Sequence, residues 1–171
     1  MKVPEPAAGY LVRIDEVAER LQALAEFPAA AGALTSPDEP SGERWDQGQA
    51  WAHLAEFVPF WVEQIEIILD TPGEDPVPFG RTKGDLERIA AIEAGRSEPI
   101  LEHLATLEDA LGPLRALLGG LRDQDWIRRG LHPTLGVMDL HRIVQDFLVG
   151  HLEAHADQLH ELGAGPAGPP D

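Results

Sequence analysis

Apolar residues recur three and four positions apart along most of the chain, the rhythm of helices with one buried face. Leu11, Ile14, Val17, Ala18, Leu21, Leu24 and Ala25 keep it over residues 10–27, and Pro28 with the small-residue stretch to Gly42 ends it. A second run, Ala50, Leu54, Phe57, Trp61, Ile65 and Ile68, predicts a helix to about Leu69. Asp46 marks its start, with Gln49 three residues on as in a capping box. Pro59 lies inside the run, where it removes one backbone donor and frees the carbonyl of Ala55, predicting a kink one turn beyond His53.

The stretch "DTPGEDPVPFGRTKG" is too rich in proline for regular structure, and a short helix over Asp85–Ala94 follows it. Ile100, Leu104, Leu107, Leu111, Leu114 and Leu118 then predict a long helix from Ser97 to about Leu118, bent at Gly112-Pro113. After a second loop, "GGLRDQDWIRRGLHPTLGVM", the last helix runs from near Asp139 to Gly163. No β-alternating stretch of any length competes with these segments. They predict an all-α fold, an irregular antiparallel four-helix bundle over residues 10–163. Residues 1–9 read as an N-terminal extension and residues 164–171, proline- and glycine-rich, as a disordered tail.

Composition narrows the function classes. With 171 residues the chain makes one domain with a sizeable core. A formal net charge of −17 repels phosphate backbones and anionic lipid, so neither nucleic acid nor a membrane is an expected partner. No apolar run reaches the ~18 to 20 residues that cross a bilayer, and the start lacks the apolar core of a signal peptide. The expectation is a cytoplasmic protein. It has no cysteine, so disulfides, thiolate metal ligands and cysteine nucleophiles are excluded, and seven histidines are the abundant nitrogen ligands.

The histidines carry the candidate chemistry. Leu140, Val144, Phe147, His151, His155 and Leu159 form the inward stripe of the last helix. His151 and His155 therefore sit one turn apart, about 40° round the helix, and their imidazoles can converge. His53, at the edge of the second helix's apolar face, is the candidate third ligand if those helices are neighbours. Three imidazoles leave metal positions open, as catalytic sites do, and Zn²⁺, Ni²⁺, Fe²⁺ or Co²⁺ would each accept them. The competing reading is that the pair simply packs. His103 reads as a satisfied core residue, His141 as solvated, and His132 and His160 as structural. Leu152, where a zincin helix has glutamate, and Ala50, Ile100, Leu148 and Leu152, where di-iron bundles would have glutamates, rule out those two chemistries. Trp45 reads as a staple on the helix cap and Trp61 as core, while Trp51 and Trp126 have no fixed assignment.

Two stretches carry a resemblance. "RWDQGQAWAHLAEF" resembles the second-helix signature of the DinB-like superfamily, and "HPTLGVMDLHRIVQDFLVGHLEAHADQL" resembles its final segment. The order and spacing of elements match over roughly residues 8–162. The resemblance implies a DinB-like four-helix bundle holding a divalent metal through His53, His151 and His155. It also implies kinship with mycothiol-dependent maleylpyruvate isomerase and bacillithiol transferases, hence a low-molecular-weight, mycothiol-like thiol as cosubstrate, a small-molecule electrophile as substrate and frequent homodimers. Glu56, one turn beyond His53, is the candidate base or support for the metal ligand. The alternatives are a metal- or ligand-binding stress protein without catalysis and a dimerising helical scaffold.

Overall fold

The computed structural model describes residues 5–39 and 41–164. The bundle is built from α1 (Glu5–Glu26), α2 (Gln47–Asp70), α4 (Ile100–Gly120) and a last helix in two parts, α5 (Leu140–Val144) and α6 (Gly150–Ala164), joined by a π-helical turn (Gln145–Val149). The short α3 (Leu86–Gly95) lies between α2 and α4 in sequence. α1 starts earlier than Tyr10, so part of the expected N-terminal extension is helical, and Ala7 is fully buried. At the other end α6 takes in Ala164, and the expected tail from residue 165 onward lies outside the described residues. α4 begins at Ile100 rather than Ser97, because Pro99 occupies the cap position. Residues 5–164 contain no helix long and apolar enough to cross a membrane among those described.

The long helices make a four-helix bundle, and their pairing explains its irregularity. α1 packs on α4 and α6, and α2 packs on the same two, so α1 and α2 stand diagonally opposed. Side-chain pairs give the directions. Arg13 meets Glu153 and Arg20 meets Asp157, so α1 and α6 run the same way. Asp15 meets Arg115 while Gln22 meets Glu108, so α1 and α4 are antiparallel. α2 and α6 are antiparallel as well, His53 meeting His151 while Trp61 stacks near Phe147. A diagonal step from α1 to α2 needs a connection across the end of the bundle, which residues 27–46 supply.

One core of leucine, isoleucine, valine and aromatic side chains fills the space between these helices, including Trp51, Phe57, Leu107, Leu114 and Leu148. At about 25 cal/mol per Å² of apolar surface removed from water, that burial is the main force holding the bundle. The capping box forms as the spacing predicts: Gln49 N–H donates to Asp46 Oδ1 at 2.9 Å, and Asp46 N–H donates to Gln49 Oε1 at 3.1 Å. Pro59 sits within an unbroken α2.

The loops are not wholly irregular. β1 (Val77–Pro78), β2 (Arg129–His132) and β3 (Gly136–Asp139) form a small sheet, β1 parallel and β3 antiparallel to β2. Strands of two to four residues are too short to show alternation, so the sequence pattern missed them. Gly130 permits the packing, since a Cβ there would lie 2.4 Å from Phe79 Cδ1. Arg128 closes the far end of α2 by donating to the carbonyls of Ile68, Thr71 and Gly73. His132 is buried as a structural residue, its Nε2 donating to the Arg81 carbonyl at 3.2 Å and its ring stacking on Phe147. The sheet thereby fixes the backbone of Arg81, whose side chain enters the site described next.

Candidate metal centre

α2 and α6 are neighbours, and the three sequence-predicted histidines meet between them. His53 Nε2 lies 3.0 Å from His151 Nε2, which lies 3.1 Å from His155 Nε2. A ligand atom from each falls within 4.8 Å of the others, the one such cluster of three or more histidine, aspartate or glutamate side chains among the described residues. His53 is buried, whereas His151 and His155 are half-buried beside a fully buried seam of Leu148, Leu152 and Ala156.

That seam differs from the predicted stripe, in which Phe147 and both histidines faced the core. Leu140, Val144, Leu148, Leu152 and Ala156 are each four residues apart. Steps of four drift by roughly 40° each on an α-helix, and the wider π turn takes up part of the drift. Gly150 N–H donates to Gln145 O across this turn. Arg13 clasps it from α1, with NH1 on Gln145 Oε1 at 2.7 Å and Nε on Glu153 Oε1 at 2.7 Å. Turns of this kind recur at functional sites.

Each of two imidazoles is oriented from behind. His53 Nδ1 is 2.7 Å from Glu56 Oε1, and His155 Nδ1 is 2.9 Å from Gln158 Oε1. Both supports stand three residues after their histidine, a repeat visible in the sequence that singled out Glu56 and passed over Gln158. Glu56 in turn accepts from Arg81 NH2 through both oxygens, at 2.7 and 2.6 Å, and Arg81 lies 3.9 Å over the Phe60 ring. Burial pushes the Glu56 carboxyl up and the Arg81 hydrogen bond opposes it. Burial likewise holds the three imidazoles below the usual histidine range, well below for His53 and His151, with the neighbouring His155 adding to both shifts. A neutral imidazole is the form that binds metal.

The triad floors a cavity of about 120 Å³. Trp45 forms a wall: its ring stacks on His155 at 6.1 Å and meets His53 edge-on at 5.2 Å. Its backbone is pinned in two bonds with the buried Thr35, so its place is in the site as well as at the helix start. Asp38, Glu43, Lys83, Arg88 and Gln158 complete the lining, and Glu56 is absent from it because it stands behind His53. Nothing in the periodic pattern marked Arg81 or Arg88, which reach the site from a loop and from the short helix α3. His103 is a satisfied buried residue, its Nε2 donating to the Gly95 carbonyl at 2.8 Å. His141 is exposed, with Tyr10 Oη 3.2 Å from its Nδ1, and His160 is exposed.

No family model matches the chain, and no curated relative does either. Solved structures share its architecture. YfiT from Bacillus subtilis, a probable metal-dependent hydrolase with an unusual four-helix bundle topology, is 22% identical and aligns with a TM-score of 0.73 over 95% of this chain and 89% of its own. An uncharacterised protein from Clostridium difficile 630 is 10% identical, with a TM-score of 0.62 over 97% of this chain and 100% of its own. The histidine cluster therefore stands in a four-helix bundle whose fold this chain shares with YfiT.

Proposed function

We propose that the protein is a metal-dependent enzyme of DinB-like type acting on a small electrophilic molecule, with His53, His151 and His155 holding one divalent transition metal. The observation that carries this is a set of three Nε2 atoms that cannot satisfy one another. Glu56 accepts only, so His53 puts its proton on Nδ1 and leaves Nε2 bare; Gln158 Oε1 does the same for His155. His151 Nε2, beside both, has at most one proton to share between them. A cation held by the three imidazoles would answer all the lone pairs together, and an all-imidazole set suits zinc or nickel first, with iron or cobalt as alternatives.

A metal held there would supply a Lewis acid that lowers the pKa of a small nucleophile, a thiol or a water. The chain's own contribution is positional. Arg81 and Glu56 lock the His53 tautomer, Gln158 locks that of His155, and Trp45 excludes water from one side of the cavity. Glu56 faces away from the cavity, which makes it a positioning residue rather than a base. The resemblance to thiol-dependent transferases and isomerases favours a mycothiol-like thiol as nucleophile. Likeness to YfiT favours water, and hydrolysis is the second reading.

Elemental analysis of untagged protein, with and without His155→Ala, tests the metal. About one equivalent per chain, lost in the variant, is the expected result; none in either, even after reconstitution with zinc and nickel, overturns the reading. Paired assays of the loaded protein, one with thiol and electrophile and one with esters in water, then separate transfer from hydrolysis. Glu56→Gln is expected to weaken zinc binding about 10- to 100-fold in competition with a chelator. Unchanged affinity would remove Glu56 from the site.

A further inference from the structure

We infer that the cavity over the triad receives a carboxylate on the substrate, and that Arg88 is the residue that selects it. This deepens the metal-centre reading, on which the placement of the reacting end depends, but the anion site itself rests on Arg88.

Two of the three cations around the cavity are matched by a carboxylate, and the third, Arg88, is not. Behind His53, Arg81 is matched by Glu56 at 2.6 Å, and on the rim Lys83 is matched by Asp38 at 2.5 Å. Arg88 is half-buried and lines the same cavity, yet no carboxylate comes within ion-pair distance of it among the described residues. Glu43 shares the rim but is exposed to water and does not close on it. The guanidinium gives one of its hydrogen bonds, NH1 to the Lys83 carbonyl at 3.0 Å, and its Cζ stands 5.4 Å from the Trp45 ring centre. Burial lowers the pKa of Arg88, and the more distant carboxylates of Glu56, Glu43 and Asp85 pull the other way without offsetting it. Arg88 lines the same cavity as His53, His151 and His155, so a ligand there can face both.

A half-buried guanidinium with unused donors is a fork for two parallel hydrogen bonds. A planar carboxylate fits that fork. A phosphate would call for further donors, and the neighbouring Lys83 is already engaged by Asp38. Asp38 and Glu43 offset Lys83 and Arg88 in the lining, so a divalent cation on neutral imidazoles would leave the cavity positive in a protein whose net charge is −17. Its volume of about 120 Å³ limits the enclosed portion to a few heavy atoms, enough for the acid group and the adjoining carbon.

A matched pair of thiols tests this on cobalt-loaded protein, mercaptopropionate against mercaptopropanol, read by sulfur-to-cobalt charge-transfer absorption. Wild type is expected to bind the acid at least about tenfold more tightly than the alcohol, the worth of a charge-assisted hydrogen bond. In Arg88→Gln that preference should collapse while cobalt content and affinity for the alcohol stay unchanged, and Arg88→Lys should restore part of it. Metal chelation by the same carboxylate would survive Arg88→Gln, so a preference unaltered by the variant overturns the proposal, as does equal affinity in wild type. If no cobalt binds, the metal reading fails separately. Calorimetric titration of the metal-free protein with mercaptopropionate then decides: Arg88-dependent binding sustains the anion site, and its absence overturns it.

Discussion

In zinc-free buffer, His151→Leu is expected to melt at or above the temperature of wild type, and zinc is expected to reverse that order. Without a cation, the Nε2 atoms of His53, His151 and His155 face one another at 3.0 and 3.1 Å with at most one proton between them. An unmatched buried polar atom costs about 1–3 kcal/mol, and an apolar side chain of similar size removes part of that cost. Adding zinc to a thousandfold excess over its dissociation constant stabilises only the protein that binds it, by about 4 kcal/mol. For a chain of this length that is roughly 8 to 16 °C in Tm. Thermal melts of both proteins, with zinc and with chelator, give the comparison. Melting curves of wild type that ignore zinc would leave the histidines as mere packing.

Gly48→Ala should cost more than its one methyl suggests. A Cβ at Gly48 would lie 2.0 Å from the carbonyl oxygen of Arg96, a backbone atom where α3 turns into α4, so the helices must part rather than a side chain swing away. Overpacking of this kind costs about 1–3 kcal/mol or more, which corresponds to a fall of roughly 2 to 12 °C in Tm. Because Gly48 stands in the first turn of α2, between Trp45 and His53, zinc affinity should fall along with stability. Gly9→Ala is the counterpart. Nothing lies within 4 Å of its Cβ position inside α1, and relief of glycine's backbone entropy should stabilise by about 0.5–1 kcal/mol. Equal melting shifts of the same sign in the two variants would contradict the packing described for α2.

These residues show what could be read from the chain before it was folded. The helices were legible because their burial is one-sided: Leu107, Leu111, Leu114 and Leu118 repeat at helical intervals, and all are buried. The triad was legible for the same reason, since a histidine interrupting an apolar track stands out. Glu56 was visible by spacing, and its partner in role, Gln158, had the same offset from His155. What escaped was whatever depends on contacts between distant segments. β1 is held by pairing with β2 across more than fifty residues, and the hairpin of β2 and β3 is too short to show alternation. Arg81 and Arg88 look like ordinary surface arginines until the chain returns past α2. The π turn was hidden because helical periodicity assumes a constant pitch, and Trp45 because a cap staple and a cavity wall have the same sequence signature. Which helices neighbour one another was hidden too, since two diagonal helices and two adjacent ones have the same periodic pattern. The parallel run of α1 beside α6 therefore departs from the antiparallel expectation.

The diagonal placement of α1 and α2 also separates what in this protein can vary from what cannot. The floor of the cavity is set by helices whose register is fixed by the core, so His53, His151 and His155 cannot move without repacking the bundle. Part of its roof is the connection between α1 and α2, which reaches the cavity through Thr35, Asp38, Glu43 and Trp45. A surface connection can lengthen cheaply, each doubling costing only about 0.6 kcal/mol in closure entropy. Descendants of this chain could therefore change what they admit by insertions in that one segment while the reactive floor stays untouched, as an old lock keeps its bolt when the keyway is recut.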